Sequence, residues 1–278
     1  MRGGTSKAII FNRADLPEDR THWDAIFLAA IGSPDPNGRQ LNGMGGGISS
    51  LSKVCIVEPS DRDDADVNYT FAQVSVDREN VGYGANCGNM SSAIGPFSVD
   101  EGLVEAAGDD ALVRIYNTNT DKIIHSRFAM DGDLAAVDGD FDLKGVAGTG
   151  APVRLEFQQP GGAATGRLLP TGNVIDEIAV EGLGVVEASL VDSANPFVFV
   201  EAKALGLIGT EAPADIDARA QIMGWLENIR AQATVMMGIA KTVEDATENF
   251  PAAPWVGMVA PPQDAQTLEG EPIKADDG

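Results

Sequence analysis

The stretch that decides the fold is Y-G-A-N-C-G-N-M-S-S-A-I-G-P-F-S-V-D-E-G, at residues 83–102. It places Cys87 in a turn, and apolar residues then recur at helical spacing from Met90 to Phe97, ahead of a stop at Gly102. A thiol at a helix start lies beside unpaired backbone N–H groups and the positive end of the helix, which favour a thiolate and a bound carboxylate. The stretch predicts a helix that begins at a chemically active position, although free cysteine is also a frequent core residue.

A second chemically dense stretch, N-G-M-G-G-G-I-S-S-L-S-K-V-C-I-V, covers residues 42–57. Its glycines let backbone amides approach a ligand closely, its serines offer hydroxyl groups, and Lys53 stands at the head of the predicted strand V-C-I-V. The spacing is not that of a Walker phosphate-binding loop. Cys55 is predicted to be core, and a lysine at a strand start is often only solvated. A predicted strand at residues 67–76 joins this stretch to the helix.

The N-terminal stretch R-G-G-T-S-K, at residues 2–7, precedes the short apolar strand A-I-I-F. Its arginine, lysine and hydroxyl side chains surround a permissive glycine backbone, which suits the capture of an anion. A glycine pair is equally typical of a plain hairpin turn. Both interpretations stay open on the sequence of this stretch.

Beyond Gly102 the chain is rich in predicted strands, at residues 112–118, 123–130, 153–157, 185–191 and 197–201. Glycine and aspartate clusters predict a domain boundary near Gly145, and hence domains 1–145 and 146–278. The second domain carries the loop G-R-L-L-P-T-G-N at 166–173, the turn D-S-A-N-P at 192–196 and a long helical pattern from Asp215.

Composition excludes several classes of function. The 278 residues carry a net charge of −23, which argues against nucleic acid as a partner. No apolar run approaches the roughly 20 residues of a membrane span, and the N-terminus lacks the apolar segment of a secretory signal. We therefore predict a cytoplasmic protein with no membrane partner, and a homodimer is possible. The two cysteines lie in different local patterns, so a disulfide scaffold is not expected.

Taken together, these stretches occur in the order of a known family. They are R-G-G-T-S-K at 2–7, G-M-G-G-G-I-S-S-L-S-K-V at 43–54, A-N-C-G-N-M at 85–90, G-P-F-S-V-D-E-G-L-V at 95–104, G-R-L-L-P-T-G-N at 166–173 and D-S-A-N-P at 192–196. The chain resembles the PrpF family of methylaconitate isomerases and oxalomesaconate tautomerases, relatives of diaminopimelate epimerase.

The resemblance implies an α/β (α+β) fold of two similar halves, each a mixed β-sheet or barrel wrapped round a central helix, with the active site in the cleft between them. Because family members extend past both ends of this sequence, it also implies that the second half is incomplete. The missing part would include a glycine-rich helix start that faces the cysteine helix.

The same resemblance implies proton transfer on a small unsaturated di- or tricarboxylate such as 2-methylaconitate or 4-oxalomesaconate, with no cofactor and no metal. Lys53 matches the family's acid or base, and Cys87 would be the opposing acid or base or a group that only holds the substrate. The remaining matched residues would bind the substrate; they are Arg2, Thr5, Ser6, Gly46, Gly47, Ser49, Ser50, Asn86, Gly88, Asn89 and Asn195.

Two other enzyme classes and a non-catalytic binding protein are the alternatives to this isomerase. A two-thiol racemase needs one cysteine in each half, whereas Cys55 and Cys87 both lie in the first. A Cys–His hydrolase would need His22 or His125 beside Cys87. A non-catalytic, carboxylate-binding accessory protein for a dehydratase, or an inactive fragment, is the main alternative to the isomerase. Three departures from the family pattern, Ala8, Leu51 and Gly82, are expected to tune substrate choice.

Overall fold

The computed structural model describes residues 1–251, 253–266, 270 and 272–275. The chain divides into two compact units, residues 1–160 and 161–278. The first unit therefore ends later than the boundary predicted near Gly145. The reason is a non-local pairing: the strand Val153–Phe157 is hydrogen-bonded along Lys122–Asp131, which holds the segment before Gly161 in the sheet of the first unit.

The first unit is built from one large mixed sheet and two α-helices, within a range that the structure describes completely. The helices are α1 (Trp23–Ile31) and α2 (Gly88–Asp100). The strands are β1 (Arg2–Gly3), β2 (Ser6–Asn12), β3 (Lys53–Pro59), β4 (Val67–Val74), β5 (Val81–Gly82), β6 (Asp110–Asn117), β7 (Lys122–Asp131), β8 (Leu134–Ala135), β9 (Phe141–Asp142), β10 (Thr149–Gly150) and β11 (Val153–Phe157).

The sheet runs in the order β1-β2-β3-β4-β6-β7-β11, with β5 beside β4 and β8 beside β7, while β9 and β10 form a separate pair. The pairs β2–β3 and β4–β6 are parallel, and the others are antiparallel. Helix α2 contacts strands from one edge of the sheet to the other, from β1 through β6 and β7 to β11. The prediction of a mixed sheet wrapped round a central helix is confirmed for this unit.

Strand β3 shows why this sheet needs a helix on each face. Its residues 54–57 are apolar without alternation, which is typical of a strand buried on both sides. Cys55 and Val57 belong to the core around α2, whereas Val54 and Ile56 belong to the core around α1. The strand therefore separates two hydrophobic cores.

The second unit contains a four-stranded sheet among its described residues, in the order β12-β13-β14-β15. Its strands are β12 (Asp176–Val180), β13 (Gly184–Ser193), β14 (Asn195–Glu201) and β15 (Trp255–Val259), followed by the short pair β16 (Ala265–Gln266) and β17 (Pro272–Ile273). Its helices are α3 (Pro213–Asp217), α4 (Ala220–Met236) and α5 (Val243–Asn249).

Helix α4 covers one face of the second sheet, where Ile222, Ile229 and Ala233 pack with apolar residues of β12, β13 and β14. The helical pattern predicted from Asp215 is thus split between α3 and α4. None of the described helices combines the length and the apolar character that a membrane span requires.

Candidate active site

Lys53 is the first residue of β3, and its side chain lies on the face of the sheet that packs against α2. Only 9% of the residue is exposed. Its Nζ donates a hydrogen bond to Gln73 Oε1 at 2.6 Å and lies 5.1 Å from the ring centroid of Phe71. A lysine in this position is held by a neutral acceptor and an aromatic face rather than left in solvent.

Cys87 is the N-cap residue of α2, as the sequence predicts. It is half-buried against the core around α2, and no side-chain hydrogen bond caps this end of the helix. Gly88 and Asn89, the first residues of the helix, are exposed. The first turn of a helix presents unpaired N–H groups and partial positive charge, so this end of α2 suits a carboxylate. Asn86 instead is buried and accepts a hydrogen bond from Ser91 Oγ at 3.3 Å.

Cys55 links the two catalytic candidates. Burial raises the pKa of the Cys55 thiol to about 12, and Cys87 also acts to raise it. The contact of the thiol with the Tyr69 hydroxyl and the positive charge of Lys53 act to lower that pKa. Lys53 and Cys55 are two residues apart on β3 and share the face that packs against α2, and Cys87 packs against the core that contains Cys55. The structure brings the two predicted catalytic residues to one region, on the α2 side of β3.

The N-terminal turn packs directly on the first turn of α2. Asn89 Nδ2 donates hydrogen bonds to Thr5 Oγ1 at 3.2 Å and to Ser6 Oγ at 3.4 Å. A Cβ atom at Gly3 would lie 2.5 Å from the carbonyl oxygen of Asn89, so only glycine permits this approach. Arg2 is exposed and donates to Gly4 O at 2.9 Å. The turn therefore lies beside the end of α2 at which Cys87 is the N-cap residue.

The glycine–serine loop is organised by a residue that the sequence did not single out. Gln40 Oε1 accepts hydrogen bonds from the Gly47 N–H and from Ser52 Oγ, each at 2.8 Å. The Gly47 N–H is thus already used within the protein. The structure shows no hydrogen bond from the backbone N–H groups of Gly46, Ser49 and Ser50 among the residues it describes. Those three N–H groups are therefore not used within the loop and can donate to a ligand.

Asn195 begins β14 and belongs to the second unit. Its Oδ1 is buried and has no hydrogen-bond partner among the described residues. Nearby in sequence, the fully buried Asp192 accepts hydrogen bonds from the N–H groups of Ala164 and Thr165 at 2.8 and 2.7 Å. Asp192 therefore holds the loop that precedes the G-R-L-L-P-T-G-N motif. The sequence offered no signal for this role beyond the position of the aspartate in D-S-A-N-P.

The geometry argues against the two rival enzymes. Both cysteines lie in the first unit, and Cys55 is fully buried against Tyr69, so it cannot reach a substrate. His22 is exposed beside Asp19, and His125 lies 3.9 Å from Glu156. His125 alternates along β7 with the buried Ile124 and Ser126, which places it on the face away from α2. Within the described residues no group of His, Cys, Asp and Glu is arranged to hold a metal ion.

Comparison with known proteins decides the family. The sequence profile of the PrpF protein family matches residues 1–277. The chain belongs to the PrpF family. It is 43% identical over 278 residues to a 3-methylitaconate isomerase of Eubacterium barkeri, and the match covers 100% of this chain and 72% of that relative. It is 36% identical to a 2-methyl-aconitate isomerase of Shewanella oneidensis, in a match that covers 100% of this chain and 72% of that relative. It is 41% identical to a (4E)-oxalomesaconate Delta-isomerase of Novosphingobium, in a match that covers 95% of this chain and 70% of that relative.

The fold agrees with that of a PrpF relative. The crystal structure of methylitaconate-delta-isomerase matches this chain with a TM-score of 0.80 and 42% identity, covering 99% of this chain and 71% of the other. The predictions of the family, of the α+β fold class and of an isomerase are therefore confirmed. The accessory-protein alternative finds no support among these relatives, which are named as isomerases.

Proposed function

We propose that this PrpF chain isomerises a small unsaturated di- or tricarboxylate, such as 2-methylaconitate or 4-oxalomesaconate, by moving a proton between carbon atoms. The names of the relatives support this substrate class, since each denotes a small branched or extended unsaturated acid. We propose that the reaction uses side chains alone, without a cofactor. A homodimer and a cytoplasmic location stay predictions of the sequence.

One observation carries the proposal: Lys53 lies on the face of β3 that packs against α2, and Cys87, at the uncapped start of α2, packs against the same core. Moving a double bond next to a carboxylate requires removal of a proton from carbon, which leaves a dienolate. The proton is then returned to a different carbon. A base near the carbon and N–H donors near the developing negative charge are the groups that this chemistry needs.

In the proposed reaction, neutral Lys53 takes the proton from carbon through its Nζ. The two electrons of the broken C–H bond pass into the dienolate. Either the Lys53 ammonium or the Cys87 thiol then protonates the other end of the system, and the net charge is unchanged. The carboxylates of the substrate would be held by the first turn of α2 and by the N-terminal turn. We assign substrate contacts to Gly88 and Asn89 there, and the other predicted binding residues stay candidates.

Local positive charge is needed because the protein as a whole is strongly acidic, with a net charge of −23. An anionic substrate would be repelled by such a surface at long range. Arg2, Lys53 and the start of α2 provide positive charge or N–H donors within the first unit. The site would therefore attract a carboxylate at short range.

The test is proton exchange with solvent. Purified protein is mixed in deuterated water with 3-methylitaconate, trans-2-methylaconitate or 4-oxalomesaconate, and deuterium uptake and isomer formation are followed by NMR. We expect exchange with at least one acid, and a loss of about 100-fold or more in Lys53→Ala. Lys203→Ala, which removes an exposed lysine paired with Glu201, should match the unmodified protein. Binding of all three acids without exchange would instead favour a non-catalytic carboxylate-binding protein.

A further inference from the structure

Gln73 is the hydrogen-bond partner of Lys53, and no part of the proposed chemistry yet uses it. The two residues are direct partners across the antiparallel strands β3 and β4. Gln73 Oε1 accepts from Lys53 Nζ at 2.6 Å. We propose that Gln73 is a positioning residue that orients Lys53 and sets the pH range over which its amine can act as a base; this inference rests on the proposed function.

The orientation of the Gln73 amide follows from its other contacts. Gln73 Nε2 donates to the carbonyl oxygens of Ser49 and Ser52, both at 3.0 Å. Carbonyl oxygens accept and never donate, so the NH₂ group must face them and the amide oxygen must face Lys53. One side chain thus connects the serine turn, whose Ser49 and Ser50 are candidates for substrate binding, with the proposed base.

The surroundings of Lys53 make its neutral partner significant. The nearest titratable group on its own strand face is the thiol of Cys55, which lies 3.7 Å from the Tyr69 hydroxyl of β4, and Cys87 at the start of α2 packs against the same core. Among the described residues, no carboxylate forms an ion pair with Lys53. A carboxylate at this position would hold the lysine as ammonium, whereas an amide fixes Nζ in place without adding charge. An amide partner is therefore compatible with a lysine that must lose its proton before each reaction.

Two variants separate this electrostatic role from simple support of the fold. Gln73→Glu keeps an acceptor for Nζ and adds a negative charge. Gln73→Met keeps the length of the side chain and removes the acceptor. The first should stabilise the ammonium form of Lys53 and the second should destabilise it, so their effects on titration should have opposite signs. General loosening of the structure would not produce opposite signs.

The measurement is the pH dependence of Lys53 labelling by acetic anhydride, quantified by peptide mass spectrometry, in parallel with the pH profile of deuterium exchange. We expect the labelling midpoint to rise by about one pH unit or more in Gln73→Glu and to fall in Gln73→Met. The exchange profiles should move in the same directions. Thr70 lies on β4 with Gln73, and its side chain is hydrogen-bonded to Thr118. Thr70→Val removes that bond and should leave both profiles unchanged.

The two proposals fail in different ways. If the unmodified protein exchanges none of the three acids, the proposed function is wrong, while the labelling midpoints still decide the role of Gln73. If the midpoint of Lys53 is the same in Gln73→Glu, Gln73→Met and the unmodified protein, the inference about Gln73 is overturned even in an active isomerase. Cooperative unfolding of each variant in urea verifies that a folded protein was labelled.

Discussion

Gln40 and Gly47 are joined by a partly buried hydrogen bond in which the Gly47 N–H donates to the side-chain oxygen of Gln40 at 2.8 Å. The same oxygen accepts from Ser52 Oγ at 2.8 Å, and Gln40 Nε2 donates to Ser33 Oγ at 2.8 Å. Only 1% of Gln40 is exposed. One buried amide therefore holds the glycine–serine loop in the shape that leaves Ser49 and Ser50 open.

Replacing this amide should affect both stability and substrate binding. Gln40→Leu leaves the Gly47 N–H without its acceptor and removes the bond to Ser33 Oγ, while Ser52 Oγ can still donate to the Ile48 carbonyl oxygen. An unpaired buried polar group costs about 1–3 kcal/mol. We expect the free energy of unfolding to fall by about 2–4 kcal/mol in urea titrations and KM to rise. Gln158→Leu, at an exposed glutamine, is the matched control and should change neither quantity. Equal KM values for the two variants would contradict a role of Gln40 in shaping the loop.

The two cysteines should differ sharply in reactivity. Burial raises the pKa of Cys55 to about 12, so at pH 8 only about one molecule in 10,000 would carry its thiolate. Cys87 is half-buried at the start of α2. We expect iodoacetamide to modify Cys87 alone in the folded protein, as read by mass spectrometry, and a bound substrate to slow the reaction. Cys55→Ala should be labelled like the unmodified protein, and Cys87→Ala should not be labelled. Modification of Cys55 before unfolding would show that the core is more open than described.

Gly95 lies where α2 packs directly on β7, and a side chain added there should change the stability of the protein. A Cβ atom at Gly95 would lie 2.5 Å from Ser126 Oγ and 2.8 Å from Phe128 Cε1. Gly95→Ala should lower the free energy of unfolding by about 1–3 kcal/mol through overpacking, although alanine favours helix. Gly224→Ala in α4, where a Cβ would meet nothing within 4 Å, should instead raise it by about 0.5–1 kcal/mol. Chemical denaturation of both variants provides the comparison, and a stabilised Gly95→Ala would refute the close packing of α2 on β7.

Arg230 holds together the helical side of the second unit. Its Nη2 lies 2.6 Å from Glu227 Oε1, and its Nη1 donates to the carbonyl oxygens of Phe250 at 2.6 Å and Ala253 at 3.1 Å. Arg230→Met removes the side-chain donor from the Phe250 carbonyl oxygen and the ion-pair partner from the half-exposed Glu227, and we expect a loss of about 3 kcal/mol in the free energy of unfolding. Arg219→Met, at an exposed arginine before α4, should have little effect. Thermal or urea unfolding of the two variants makes the comparison.

The pH dependence of that loss follows from the ion pair. Hydrogen bonds from Arg230 hold the pKa of Glu227 below its ordinary value of 4.5. A carboxyl group whose pKa is lower in the folded state stabilises the fold above the unfolded pKa, and this contribution disappears as the pH falls through the folded pKa. The stability difference between the unmodified protein and Arg230→Met should therefore be full at neutral pH and smaller below about pH 4. A difference that grows on acidification would contradict the pairing.

The local patterns predicted most of the first unit correctly. The strand expected at 67–76 is Val67–Val74, and the helix expected after Cys87 is Gly88–Asp100. These elements follow from apolar periodicity and from glycine stops, which act over a few residues. The first unit ends at residue 160 rather than near Gly145 because β11 pairs with β7. A pairing between strands that are distant in sequence is not visible in the local composition. The site residues that the sequence named stay predictions until activity is measured.

The sequence by itself determined the family, the isomerase class, the central helix that starts at Cys87 and the strand that starts at Lys53, because each of these is written in contiguous motifs. Only the tertiary structure decided which polar groups hold those motifs in place. Gln40, Gln73 and Asp192 are single polar residues with no motif of their own, and each acts on groups far away in sequence: Gln73 on Lys53, 20 residues away, and Asp192 on Thr165, 27 residues away. A buried polar group must find a partner wherever the fold brings one, and that partner is known only once the strands are paired.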